Sequence, residues 1–261
     1  MGGAPLAEVV RSTTAYVDPL GMPDYVPTGM QVWGGQPILR RLAVAESCNL
    51  TTIRAAADWG AEALLVHHGV YWHAADPAGA PGKVIEERRM EALRAAGISL
   101  LAYHLPLDAH PEVGNNACIA RELGLEVTHR NVCPLGESGF AIGVIGAFAE
   151  AVALDALAHR CGEVFGTVPL LCPGAQGQVR SVAIVSGGGA SSLFEAAARG
   201  VDAFISGEGR EWSPAAAAET GVAFLAVGHH ASERLGVQAL AGWVAHHHEV
   251  ESRFFSEENP F

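Results

Sequence analysis

The feature that most limits how this chain can fold is an internal repeat. Gly60-Ala61-Glu62-Ala63-Leu64-Leu65-Val66-His67-His68-Gly69 is matched by Gly200-Val201-Asp202-Ala203-Phe204-Ile205-Ser206-Gly207-Glu208-Gly209, each an apolar strand closed by polar residues and a glycine. The strand that follows also matches: Gly97-Ile98-Ser99-Leu100-Leu101-Ala102-Tyr103-His104 resembles Gly221-Val222-Ala223-Phe224-Leu225-Ala226-Val227-Gly228-His229 with one residue inserted. Four residues further on stand Asp108 and Glu233 respectively. Self-similarity of this kind marks a structural unit used twice.

Around the repeat, periodicity predicts helices over 47–59, 84–96, about 191–199 and about 213–219, alternating with strands over 62–66, 98–103, 201–205 and 222–227. Near-continuous apolar strands alternating with helices predict an α/β fold with mixed, mostly parallel sheets covered by helices. The stretch from about 128 to 180 is richer in Gly and Pro, and reads as the link between a first repeat over 1–127 and a second over 128–261, contributing edge strands. A last helix opens at His229, with Leu235, Ala239, Leu240, Trp243 and Val244 at helical spacing.

In open parallel sheets, side chains beyond the carboxyl ends of the strands converge and are not consumed by packing. Three of the four repeated strands end in histidine and the fourth at Glu208. Imidazole and carboxylate donors suit Zn, Mn, Fe, Co or Ni. His67, His68, His104, Asp108, His229 and Glu233 together give three protein ligands to each of two divalent metal ions, with positions open for water, which is the form of a catalytic site. Neighbouring strand residues point to opposite faces, so His67 and His68 are expected to serve different ions unless the chain curls at Gly69, with Asp108 or Glu233 bridging. His229 and Glu233 lie one helical turn apart, and His104 and Asp108 have the same spacing with Pro106 between them.

Glu208, the repeat counterpart of His68, is read as an orienter of a ligand or a general base, and His110 as the other candidate proton carrier. Tyr71 and Trp72 either wall a pocket on which a planar ring stacks or serve as core aromatics. Ser186-Gly187-Gly188-Gly189-Ala190-Ser191, between an apolar strand and a helix, has the form of an anion cradle but lacks the lysine of a P-loop. His246-His247-His248 reads as a solvated helix end.

A formal charge of −12 repels phosphate backbones, so nucleic acid is disfavoured. Five scattered cysteines without a CxxC pair read as reduced thiols, not a disulfide framework or a thiolate zinc site. No apolar run reaches membrane-spanning length and no basic segment with an apolar h-region opens the chain, so a cytoplasmic protein with no membrane partner is the expectation.

Four stretches resemble the GTP cyclohydrolase I type 2 homologues, also called YbgI-like dinuclear-metal proteins. They are Pro27-Thr28-Gly29-Met30-Gln31-Val32, Val66-His67-His68-Gly69, the run from His104 to Asn116 (HLPLDAHPEVGNN), and Ser206-Gly207-Glu208 with Gly228-His229-His230-Ala231-Ser232-Glu233-Arg234. The resemblance implies two intertwined α/β repeats, a dinuclear metal centre between them built from the six residues named above, and assembly into a homohexameric ring. It implies a metal-dependent hydrolase acting on a nucleotide-like small molecule, with a GTP cyclohydrolase-type ring opening as the candidate activity. The alternative is a hexameric scaffold or regulatory protein in which the metals are structural; redox chemistry at the metal pair is a less favoured third. Where the family commonly has Asn-Gly-Leu-Gln, this chain has Thr28-Gly29-Met30-Gln31, a departure outside the metal set.

Overall fold

The computed structural model describes residues 2–73, 75–135 and 137–261. In chain order it contains β1 (Ala4–Pro5), α1 (Leu6–Val17), β2 (Gly29–Val32), β3 (Ile38–Leu39), β4 (Arg41–Ser47), α2 (Leu50–Trp59), β5 (Ala63–His68), α3 (Pro81–Ala95) and β6 (Ser99–Ala102). Next come α4 (Leu105–Ala109), α5 (Asn115–Glu122), β7 (Glu126–Pro134), β8 (Ala141–Ala153), α6 (Leu154–Phe165), β9 (Leu170–Cys172) and β10 (Gln178–Val185). A 3-10 turn (Gly189–Ser192), α7 (Leu193–Ala198), β11 (Ala203–Ser206), α8 (Ser213–Thr220), β12 (Ala223–Ala226), α9 (His229–His248) and β13 (Glu251–Phe254) follow.

The chain divides into two compact units, Met1–Leu107 with Val237–Glu258, and Asp108–Gly236 with Asn259–Phe261. In the first unit a five-stranded sheet has the order β13-β4-β5-β6-β2. Its first four strands run parallel, and β2 joins antiparallel to β6. In the second, a six-stranded sheet has the order β7-β8-β10-β11-β12-β9. Its three central strands are parallel, and β7, β8 and β9 are antiparallel to their neighbours.

The apolar strands are continuous because both faces of the second sheet are buried. Val182, Ile184, Ala203, Ile205, Ala223 and Leu225 point into one core with Leu157 and Phe165, while the intervening Ala183, Val185, Phe204 and Phe224 point into another with Leu193 and Ala217. In the first unit Leu64, Val66, Leu100 and Ala102 pack with Ile53 and Leu93 in the same manner.

Local chemistry fixes where the elements begin. The helix expected from residue 47 starts at Leu50, because Asn49 caps it: its side chain accepts the N–H groups of Thr51 and Thr52, and the Thr52 hydroxyl returns a bond to the Asn49 N–H. The helix expected over 191–199 is a 3-10 turn followed by the short α7. The expected division at residue 127 falls inside β7. The units part instead at 107/108 and again at 236/237, because Ile119, Ala120, Leu123 and Leu125 pack into the second core. Among the described residues no helix is long and apolar enough to cross a membrane.

Candidate metal centre

In the first unit, strand register gathers the imidazoles. Ser47 pairs with His68, and Val66 with Ala102, so the end of β5 lies beside the residues that leave β6. The ring centroids of His67 and His68 are 4.7 Å apart, with His104 at 5.1 Å from the first and 5.6 Å from the second. Each of the three offers a nitrogen within 4.8 Å of the others'. The rings of His67 and His68 are tilted by 43°, so the two neighbours do not diverge as a flat strand would require.

Their outer nitrogens share a pattern. His67 Nδ1 is 2.9 Å from the Tyr103 carbonyl, His68 Nδ1 is 2.6 Å from Glu46 Oε1, and His104 Nδ1 is 3.0 Å from Asp24 Oδ1. A carbonyl or carboxylate oxygen only accepts, so each Nδ1 carries a proton, and in the neutral ring Nε2 keeps the lone pair. Asp24 also accepts the N–H of Leu105 at 2.9 Å, which anchors the start of α4. Burial raises the carboxyl pKa of Asp24, but the hydrogen bond and charge of His104 and the N–H groups of Leu105 and Val26 outweigh it and hold the group below the ordinary carboxylate range.

Two aromatic rings stand over these imidazoles. Trp72 lies edge-on to His68 and His104, at 5.2 Å from each, and Tyr25 lies 5.0 Å from His104 with its hydroxyl 3.4 Å from Nε2. Tyr25 is 72% exposed, so one ring face is open to solvent. Tyr71, paired with Trp72 in the sequence reading, packs against the core instead and donates its hydroxyl to the Gln31 carbonyl.

In the second unit, His229 opens α9 and Glu233 follows one turn later, with His229 Nε2 at 2.9 Å from Glu233 Oε2. The other ring nitrogen is 2.7 Å from Glu208 Oε1, and Glu208 Oε2 is 3.7 Å from Arg210. Asp108 and Glu233 present oxygens within 4.8 Å of each other. Asp108 Oδ1 accepts from Asn115 Nδ2 at 2.8 Å and from the Ser186 hydroxyl at 3.1 Å. Asp108 and Glu233 are buried among polar partners, the surroundings that hold a ligand in one orientation, while His229 and Glu208 are partly exposed.

The glycine loop after β10 packs against this cluster. Gly187 has φ +59°, and a Cβ there would collide with the Glu233 carboxylate and reach 3.1 Å from His229 Nε2. The amides of Ser186 and Gly187 are taken by Asn116 Oδ1 and Ser232 Oγ at 2.8 and 3.0 Å. Those two groups of the loop are therefore not offered to an anion. His110 is buried, with Nδ1 at 3.2 Å from the N–H groups of both Glu112 and Val113, which folds the turn before α5. At the end of α9, His248 Nε2 lies 2.7 Å from the Ser12 hydroxyl and His247 stacks on Trp243, so these rings are engaged away from the strand ends.

Asp24, Tyr25 and Glu46 were not found by sequence reasoning, and Asn115 and Ser186 stood there only within longer runs, without the contacts to Asp108. Glu46 left a signal, an acid closing the otherwise apolar run Leu42-Ala43-Val44-Ala45. Asp24 left none, since its loop has no period and its histidine lies 80 residues away.

The model of the Duf34/NIF3 (NGG1p interacting factor 3) family matches residues 5–260. The GTP cyclohydrolase 1 type 2 homolog of Pseudomonas aeruginosa is 38% identical over 257 residues, 98% of each chain. That of Pasteurella multocida is 40% identical over 240 residues, 91% of this chain and 92% of the other. Among solved structures, protein ybgI superposes with a TM-score of 0.89 at 33% identity, covering 99% of this chain and 100% of that one. A Thermus thermophilus protein gives 0.85 at 30%, with the same coverage. Agreement over nearly the whole length, in both sequence and backbone, places this chain in the Duf34/NIF3 family.

Proposed function

We propose that the chain holds two divalent metal ions, with His67, His68 and His104 of the first unit and Asp108, His229 and Glu233 of the second as ligands, and hydrolyses a small, planar, nucleotide-like molecule. The observation that carries this reading is the trio of imidazoles whose Nδ1 groups are all tied to acceptors while their ligand atoms lie within 4.8 Å. A histidine that merely satisfies a core needs one such bond; three with the same polarity, beside one another, suit a cation. The nitrogen and carboxylate donors accept Zn, Mn, Fe, Co or Ni.

A pair of divalent ions bound there supplies Lewis-acid polarisation and a water whose pKa approaches neutrality. The chain's own residues then have separable tasks. Trp72 and Tyr25 offer ring faces beside His68 and His104 on which a planar base stacks. Glu208, 35% exposed, can exchange a proton with solvent while it orients His229. His110 is a second proton carrier through its Nε2, since Nδ1 serves its own turn. For guanine, water adds to the carbon between the two nitrogens of the five-membered ring. One carbon–nitrogen bond then breaks, and the departing nitrogen takes a proton. The names of the curated relatives, GTP cyclohydrolase 1 type 2 homolog, favour trying that substrate first.

A second reading has the ions structural, in a ring scaffold or regulatory protein without catalysis. Elemental analysis of bound metal per chain comes first, followed by nucleotide and phosphoester panels with wild type, His68→Ala and Asp108→Ala. Mass measurement before and after chelation tests the proposed homohexamer. Turnover that disappears in both variants while the assembly persists supports the hydrolase. Dissociation or unfolding on chelation, with no substrate turned over, supports the scaffold. Protein prepared without chelators that holds no transition metal overturns both readings.

A further inference from the structure

We propose that Asp24 and Glu46 are positioning residues of the metal centre: they fix the tautomer and direction of His104 and His68, as Glu208 does for His229. The inference rests on the two-metal reading above and assigns roles to two carboxylates outside its ligand set.

Both carboxylates are withdrawn from water. Glu46 is 2% exposed on the inner strand β4, and the Asp24 side chain is 4% exposed in the loop before β2. Burying a carboxylate costs several kcal/mol unless it is hydrogen-bonded and paired. Each has an imidazole Nδ1 as a charge-assisted partner, at 2.6 Å for Glu46 and 3.0 Å for Asp24. Neither acid is placed by chain proximity. Glu46 reaches His68 across the β4–β5 ladder, where the adjacent Ser47 pairs with His68 and adds its hydroxyl at 3.2 Å. Asp24 reaches over 80 residues and splits its oxygens, one toward His104 and one toward the Leu105 N–H, so ring and backbone are set together.

The consequence is chemical. An imidazole free to choose its tautomer also populates the Nε2–H form, which cannot bind a cation at Nε2; a carboxylate at Nδ1 settles the choice and makes the ring a stronger donor. The His67 Nδ1 faces the Tyr103 carbonyl, an uncharged acceptor. His68, His104 and His229 each have an anion. The three carboxylate-backed rings are thus the strongest nitrogen donors of the set, and His67 the weakest.

The test uses the full-length protein with Zn and Co(II) as probes. Glu46→Ala and Asp24→Ala should weaken binding about 10- to 100-fold in chelator competition, and should alter the Co(II) visible spectrum. Glu46→Gln keeps an acceptor but not the charge, and should fall between wild type and Glu46→Ala. Nitrogen-15 shifts of the metal-free protein should report the Nδ1–H tautomer for His68 and His104 in wild type, and a mixture at His68 in Glu46→Ala. Melting of the metal-free variants checks folding, and if Glu46→Ala does not fold, Glu46→Gln and the tautomer measurement decide. Wild-type affinity, spectrum and tautomer in folded variants overturn the inference and leave the two-metal reading standing. A wild type that binds neither probe removes both.

Discussion

Glu62 and Asp202 do the same work in the two repeats: each carboxylate, at the foot of the second parallel strand, accepts two main-chain N–H groups from the strand before it. Glu62 Oε2 takes those of Arg40 and Arg41 at 2.9 and 2.7 Å, and Asp202 Oδ2 those of Arg180 and Ser181 at 2.9 and 2.8 Å. The repeat read from the sequence therefore extends below the apolar strands to the acid that follows Gly60 and Gly200, where it fixes how the next strand enters the sheet.

Removing the clamp should loosen the second sheet. Asp202→Ala leaves two N–H groups and the Ser181 hydroxyl without their anion, and should cost about 1–2 kcal/mol in chemical denaturation. Burial raises the Asp202 pKa, but the N–H groups of Ser181 and Arg180 and the Ser181 hydroxyl outweigh it, so the folded value lies below the unfolded one. The stabilisation is accordingly present above the unfolded carboxylate pKa, near 3.9, and is lost as pH falls through the folded value. Wild type and variant should converge in stability at the acid end; a gap that widens there would contradict the assignment.

The thiols give a second check. Burial pushes Cys48 and Cys161 up to about 12, so at pH 8 only about one molecule in ten thousand carries the reactive thiolate at either site. Cys133 is half-buried and should react first with a thiol reagent in native protein. All five cysteines should titrate in denaturant. Modification of Cys48 at the rate of Cys133 in folded protein would show that the first core opens readily.

How much of this was legible follows from which signals are local. Strands β5, β6, β11 and β12 were visible because two-sided burial makes them apolar over most of their length, and the strand-end histidines because each lies at or within three residues of the end of such a run. The division at 107/108 was hidden because Gly and Pro between 128 and 180 read as a linker. Gly143 and Gly146 instead lie within the 13-residue β8, where a Cβ would meet Ile184 O and Val185 at the first and Leu125 at the second. These glycines mark close crossing, which a single sequence does not distinguish from a turn. Asp24 and Asn115 escaped for the opposite reason: their partners are set by tertiary structure, and nothing within several residues of them hints at it.

Gly187 should tolerate no side chain. Gly187→Ala places a Cβ against the Glu233 carboxylate in a left-handed backbone conformation, at an expected cost of about 1–2 kcal/mol from the backbone alone, with further loss where Glu233 is displaced. Gly188→Ala is the control, since a Cβ there meets nothing within 4 Å and φ is −78°; it should stay within about 0.5 kcal/mol of wild type. Thermal melts and metal content, measured side by side, should both fall in the first variant and in neither for the second. Equal behaviour of the two would mean that the loop yields and Glu233 is not held against it.

Asn115 links Asp108 to the helix that carries Glu233. Its Nδ2 donates to Asp108 Oδ1 at 2.8 Å, its Oδ1 accepts the Gly236 N–H at 2.7 Å, and the residue is fully buried. Asn115→Ala leaves both groups short of a partner inside the protein, for an expected loss of about 1–3 kcal/mol. Asn115→Asp is more informative because it keeps the acceptor for Gly236 and sets a second carboxyl against Asp108. Burial and that neighbouring charge raise the introduced carboxyl's pKa above its unfolded value, so its contribution is intact below the unfolded pKa and lost as pH rises through the folded one. The variant should therefore come closest to wild type near pH 4 and fall furthest behind near pH 8. Denaturation curves at the two pH values decide it: a deficit that is the same at both, or larger in acid, would mean that Asp108 and residue 115 do not face each other as the hydrogen bond requires.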